Sequence, residues 1–215
     1  MRYVKGHGLQ TRDRIVEEAS YGFRQTGADG MSVADLMKRA GLTHGGFYAH
    51  FESREALVIE AFASAMDRTI SQWRNHMNGI PAEDRFDAFV EAYLRPGHRD
   101  DSAHGCVLPA LGADIARSSE KARRVFARKL DQMIDVIAGL FPRESPKQAR
   151  QIATGALATM MGSIALARAV GDKKLSDEIL GAGQQALSGQ SARRRAPVAS
   201  DVRRPNNCKE TNDHD

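Results

Sequence analysis

The sequence predicts an all-α protein of about nine helices, with a small amino-terminal domain followed by a larger helical one. Three observations predict it. Apolar residues recur at the three-to-four spacing of a helical face from Ile15 to Leu187, and no stretch alternates apolar and polar as a strand would. Capping residues stand directly before these runs: Ser32, Ser53, Ser119 and the pair Ser145-Pro146. Glycine and proline fall where the runs stop, at Gly27, Gly30, Gly41, Gly79-Ile80-Pro81, Pro96-Gly97 and Pro142.

Residues 1–8 form a short basic arm. A first helix runs from Leu9 or Thr11 to Thr26, with Ile15, Ala19 and Phe23 on one face. The stretch Ser32 to Phe51, SVADLMKRAGLTHGGFYAHF, then reads as two short helices joined by a tight turn. Ser32 caps the first, and Asp35 is placed to return the hydrogen bond. Val33, Leu36, Met37 and Ala40 make its apolar face. Gly41 supplies the positive φ that suits a helix carboxyl end. Leu42 links to Thr43, the cap of a second helix that turns Phe47 and Phe51 inward. Its other sides show His44, Gly45, Gly46, Tyr48 and His50. A short, polar-faced helix held on a partner is what a helix-turn-helix inserts into a DNA major groove.

Ser53 opens a long helix to about Asn75, with Leu57, Ala61, Ala65, Ile70 and Trp73 on its stripe and Phe62 and Met66 widening it. At ~1.5 Å per residue it is long enough to act as a lever between two domains. Another helix spans Glu83 to Arg95, with Phe86, Phe89, Val90 and Tyr93 inward. The stretch 97–105, GHRDDSAHG, reads as a polar, flexible loop. Helices follow from Cys106 to Ser118, from Ser119 to Phe141, from Pro146 to Val170 and from Ser176 to Leu187. The helix at 146–170 is rich in small residues, among them Gly155, Ala158, Gly162 and Ala165, and apolar around much of its circumference. From Gly189 the periodicity ends, and 189–215 reads as a disordered basic tail.

The 215 residues suffice for a sizeable core, and 41% apolar with 27% charged is ordinary for a globular protein. The net charge of +4 gathers at the two ends of the chain, which permits nucleic-acid binding. Cys106 and Cys208 lie too far apart for a metal or redox spacing, and together with the lack of a secretory signal this places the chain in the cytoplasm. No apolar run approaches the ~20 residues of a membrane span. No phosphate loop, nucleotide fingerprint or nucleophile elbow is present, so neither a cofactor nor an enzymatic role is indicated. The loop holding His98, Asp100, Asp101, His104 and Cys106 has the side chains for a metal or a Cys-His pair, but not a recognised spacing. Cys106 opens a helix, where the dipole lowers a thiol pKa, so a reactive, electrophile-sensing cysteine stands beside an inert one.

The first 60 or so residues resemble the TetR family of bacterial transcriptional regulators. Gly41, the run Gly45-Gly46-Phe47-Tyr48-Ala49-His50-Phe51 and the following Ser53-Arg54-Glu55-Ala56-Leu57 carry the likeness, with Ile15, Phe23 and Val33 in the flanking core. The resemblance implies a DNA-binding domain over 1–52 and an effector-binding and dimerisation domain over 53–188. It implies that Thr43, Tyr48 and His50 meet phosphates, with Lys38, Arg39 and Arg54 as further phosphate contacts. His44 is the candidate for reading a base edge, and Gly45 and Gly46 for close backbone approach. The expected partners are double-stranded operator DNA, a small-molecule inducer and a second copy of the chain, docked through the helices at 146–170 and 176–187. Candidate pocket residues are Phe62, Met66, Trp73, Phe89, Tyr93, Cys106, Leu108, Leu111, Phe126, Met133 and Met160, a set suited to an apolar, aromatic ligand.

Overall fold

In the computed structural model the backbone is described for residues 5–195 and the side chains for residues 8–188. The readings of residues 1–4 as an arm and of 196–215 as a tail lie outside the described residues. Every described element is a helix: α1 (Lys5–Thr26), α2 (Val33–Arg39), a 3-10 helix (His44–Ala49), α3 (Arg54–Met77), α4 (Arg85–Tyr93), α5 (Pro96–Asp100), α6 (Val107–Ala116), α7 (Glu120–Ala138), α8 (Pro146–Ala169) and α9 (Lys173–Arg195).

The local signals act as the chemistry of caps requires. The hydroxyls of Ser53, Ser119 and Ser145 accept from the amides of Ala56, Ala122 and Gln148 at 3.0, 3.3 and 3.4 Å. Along the fold α1 lies on α3, α3 on α7, α7 on α8, and α8 on α9, which returns to α4. The short α6 sits inside this ring against α1, α3, α7 and α8. One set of buried side chains runs from Ile15 through Leu57, Phe89 and Leu108 to Leu187 without a break at 52/53.

Three segments differ from the sequence reading in extent or order, apart from the 3-10 helix. Helix α1 reaches back to Lys5, and α9 spans Lys173 to Arg195, so both absorb residues expected in the arm and the tail. The Asp172 carboxylate caps α9 early by accepting from the Leu175 amide at 2.7 Å. The stretch 97–105 is neither helix-free nor loose. Arg95, preceding Pro96, is extended at φ −87° and ψ 152°, and the chain then turns once as α5. Arg99, buried, reaches from α5 to Ser176 and Asp177 of α9 at 2.8 and 2.6 Å. Arg168 of α8 donates to the carbonyls of His98 and Arg99, both at 2.9 Å.

Helix α8 is long and apolar enough, by length and composition, to cross a membrane, with 33% of its most apolar stretch buried inside the protein. Its outward side carries Gly155, Ala158, Gly162, Ala165 and the exposed Leu166. Small residues dilute the run in sequence, while their combined surface stays apolar.

Candidate nucleic-acid interface and effector cavity

The helix-turn-helix is assembled from backbone bonds. The Ser32 hydroxyl accepts from the Asp35 amide at 3.0 Å and donates to the Asp35 carboxylate at 2.6 Å, so the acidic side chain answers the hydroxyl and not the cap backbone. At the other end of α2, Gly41 takes φ 68°. Its amide donates to Lys38 and that of Leu42 to Met37, at 3.0 and 2.8 Å, closing the helix and aiming the next segment.

That segment is a 3-10 helix, where the sequence reading expected a short α-helix. Two glycines and a six-residue length leave little α-propensity, so the Gly46 amide bonds to Thr43 and that of His50 to Phe47, three residues back. Packing holds it instead. Phe47 is buried, stacked on Phe51 at 5.6 Å and edge-on to Tyr48 at 5.2 Å. Thr43, His44, Gly45 and Tyr48 are exposed on one outward surface, Tyr48 at 70%, with Gly46 and His50 half-buried at its edges. Lys38 and Arg39 are exposed at the end of α2. The Thr43 hydroxyl makes no capping bond.

Two arginines near this face are already engaged. Arg54 donates to the carbonyls of Ala28 and Met31, tying the start of α3 to the α1–α2 connection. Arg12 pairs with Glu60 and lies over the Phe51 ring, 4.6 Å from its centre. Both side chains are thus bonded within the chain, Arg54 being one of the residues named from sequence as a phosphate contact.

A cavity of about 390 Å3 opens where α3, α4 and the 97–106 segment meet, lined among others by Gln72, Trp73, His76, Arg95, His98 and Cys106. Of the residues proposed from sequence for a pocket, Trp73 and Cys106 are in its wall. Phe62, Met66, Phe89, Tyr93, Leu108, Leu111, Met133 and Met160 are buried in the continuous core, and Phe126 is half-buried against Phe62, ring centres 5.3 Å apart. Their helical periodicity marked them as inward-facing, and inward proved to mean core. Gln72, His76 and Arg95 were missed because they sit on polar helix faces or ends, where no periodic signal distinguishes a cavity from solvent.

His98 is the hinge pin of this wall. The Cys106 amide donates to His98 Nε2 at 3.0 Å, which leaves that nitrogen without a proton, so Nδ1–H donates to the Tyr93 carbonyl at 2.6 Å. Burial, then the nearby positive Arg168 and Arg95 working against the Tyr93 bond, hold its pKa below the ordinary histidine value. Cys106 itself is buried, and that burial pushes the thiol pKa up despite its place at the start of α6. Desolvation thus outweighs the helix dipole, and the thiol stays protonated. Burial first, and then the Cys106 thiol beside it, push the pKa of the Tyr93 hydroxyl up, and that hydroxyl has no well-formed hydrogen bond. Both ring nitrogens of His98 are spent, and among the described residues no three metal-ligating side chains converge.

The segment that walls the cavity is also joined to α1, which packs against α2 of the helix-turn-helix. Arg24, on α1 and buried, donates to the Ala103 carbonyl at 2.6 Å and to Ser20 at 3.0 Å. The Tyr21 and His104 rings meet at 5.0 Å. A turn further along, the Ala28 amide donates to Asp114 of α6 at 2.8 Å. In sequence Arg24 reads only as a basic residue in a helix's last turn, so its partner 79 positions away gave no signal.

Comparison with known proteins places these features. Residues 15–61 match the family of bacterial regulatory proteins named tetR. The HTH-type transcriptional repressor DhaR of Mycobacterium sp. (strain GP1) is 27% identical over 129 residues, 57% of this chain and 61% of that protein. The HTH-type transcriptional repressor NemR of Escherichia coli (strain K12) is 26% identical over 116 residues, 53% of this chain and 58% of its own. The chain therefore spans about three fifths of the length of the curated relatives it matches. The crystal structure of a TetR transcriptional regulator from Chloroflexus aurantiacus J-10-FL superposes with a TM-score of 0.69 at 23% identity, covering 85% of this chain and 96% of that one. Residues 15–61 are thus similar to the tetR family of bacterial regulatory proteins, and the all-helical body shares the fold of the solved TetR regulator.

Proposed function

We propose that the protein is a homodimeric repressor that releases its operator when a small molecule occupies the cavity beside α5. The single observation that carries the reading is the Arg24 tie: Ala103, between the cavity-lining Asp101 and His104, is hydrogen-bonded to the first helix of the DNA-facing domain. A ligand that displaces 101–106 acts directly on that domain. To switch the protein it must bind the two arrangements with affinities differing by a few kcal/mol. Both named relatives are repressors, which supports the direction of control.

On the DNA side, Thr43, Tyr48, His50 and Lys38 take phosphates, His44 reads a base edge, and Gly45 and Gly46 let the backbone approach the groove. The second copy docks through α8 and α9, whose outward sides carry Leu166 at 59% and Leu175 at 46% exposure among small residues. Helices without bulky side chains pack closely, and such a face is poorly matched to water.

Selection of bound sequences from a random duplex pool by the purified chain tests this. The expected product is an inverted repeat with half-sites about one helical turn or a multiple apart. On that site Lys38→Gln lowers the slope of log K against log salt by about two per dimer, one for each half-site. A single unrepeated site, or binding indifferent to salt, overturns the reading.

A further inference from the structure

The polar groups around the cavity divide into two sets once bonds within the protein are subtracted. Thr69 donates to the Ala65 carbonyl at 2.9 Å, His98 uses both ring nitrogens, and His104 Nδ1 lies 2.8 Å from the Asp101 carboxylate, which also accepts the His104 amide. Thr69 and His98 have no donor to spare, and His104 keeps only its exposed Nε2. Gln72, His76 and Arg95 line the same cavity and, among the described residues, their side chains make no hydrogen bond or ion pair. An amide, an imidazole and a guanidinium offer a surplus of N–H donors and one permanent positive charge. The wall's one carboxylate, Asp101, is already occupied by His104. All three side chains are exposed to solvent, so their donors are free to meet an acceptor or a negative charge that enters the cavity.

The remaining wall is Trp73 with the small residues Ala92, Gly97, Gly105 and Cys106. Trp73 is backed by Phe89 and Tyr93, ring centres 4.3 and 6.1 Å away, and meets His76 edge-on at 5.8 Å. An indole held from behind in this way presents a fixed surface to a planar ring. The volume of about 390 Å3 is near the lower end of the roughly 300–1,000 Å3 range of ligand sites, which suits a compound of one or two rings.

We infer that the cavity takes a planar aromatic carboxylate, its ring against Trp73 and its carboxylate shared by Arg95 and His76. Arg95 gives the two-pronged geometry that a carboxylate matches, and Gln72 supplies a further donor at the rim. This assignment rests on the cavity being the effector site. It keeps the aromatic character that the sequence suggested and adds a charge, because Trp73 and Cys106 line the cavity while most of the other apolar candidates are packed in the core.

The chain has one tryptophan, so the fluorescence of Trp73 reports this cavity without any need for the operator. The probes are benzoate, benzamide and benzyltrimethylammonium, which share a ring and do not absorb where indole is excited. Benzoate is expected to change the emission saturably, at least about tenfold more tightly than the amide or the cation. Arg95→Gln is expected to remove that preference while the weak benzamide response persists, and Arg95 is exposed, so the fold does not depend on it. No saturable response to benzoate, equal binding of the three probes, or an unchanged preference in Arg95→Gln overturns the assignment. Repeating the titration on the operator complex separates the two claims. Benzoate binding that leaves operator affinity unchanged overturns the effector reading but keeps the aromatic-acid site. Release by benzamide and not by benzoate keeps the effector reading and overturns the ligand class.

Discussion

His98 is neutral because its neighbours leave no room for a second proton. Protonating Nε2 would break the bond from the Cys106 amide and place a charge beside Arg168 and Arg95, with only the already paired Asp101 to offset it. Its folded pKa is therefore below that of the unfolded chain, and the unfolded state binds the proton more readily. The stability tied to His98 is present above about pH 6.5, the ordinary histidine value, and is lost as the pH falls below it. Thermal melts between neutral and mildly acidic pH should show a falling midpoint in the wild type. The fall should be shallower in His98→Gln, which offers a donor and an acceptor but no titrating ring. Cys106 teaches the converse lesson about legibility. Its place at a helix start was readable in the sequence and argued for a lowered thiol pKa. The burial that overrides the dipole depends on Tyr93 and on the packing of α6 inside the ring of helices, which no local pattern encodes.

At the scale of elements, the turns and caps were legible because their chemistry is local: Ser53, Ser119, Ser145 and Gly41 each act within a few residues of themselves. Helix α5 was not, since the groups that fix it come from Arg168 and Asp177, far along the chain. The 3-10 helix falls between these cases. Its position and inward phenylalanines were readable, but its tighter winding follows from packing that two glycines permit. Neither glycine is required by the fold. A methyl group on Gly45 would meet nothing within 4 Å, one on Gly46 would make ordinary contacts with Met37 and Thr43, and neither has a positive φ. On the proposed function, a bare backbone here serves close approach to DNA. Gly45→Ala should keep or raise the melting temperature, by up to about 1 kcal/mol of stability. It should weaken operator binding roughly tenfold through a methyl crowding the groove. A Gly45→Ala protein that binds the operator normally would show that the face does not approach DNA at that point.

For the whole molecule, the core was largely legible and the cavity largely not. Ile15, Leu57, Phe89 and Leu108 announced themselves by periodicity, whereas Gln72, His76 and Arg95 look like any solvated helix positions. The outward stripe of α8 carries the same logic as Gly45: a side chain added at Gly155 or Gly162 would meet open space. Gly162→Glu should thus leave the helical circular dichroism intact and shift the chain from dimer to monomer in sedimentation equilibrium, with operator affinity falling alongside. A dimer that survives this change would move the interface away from α8. The Arg24–Ala103 bond has one more consequence. A contact that lets a bound effector loosen the grip on DNA must, by thermodynamic reciprocity, let bound DNA loosen the grip on effector by the same factor. Protein seated on its operator is then the less sensitive form, and the effector dose needed for half-release rises with the strength and number of binding sites on the chromosome.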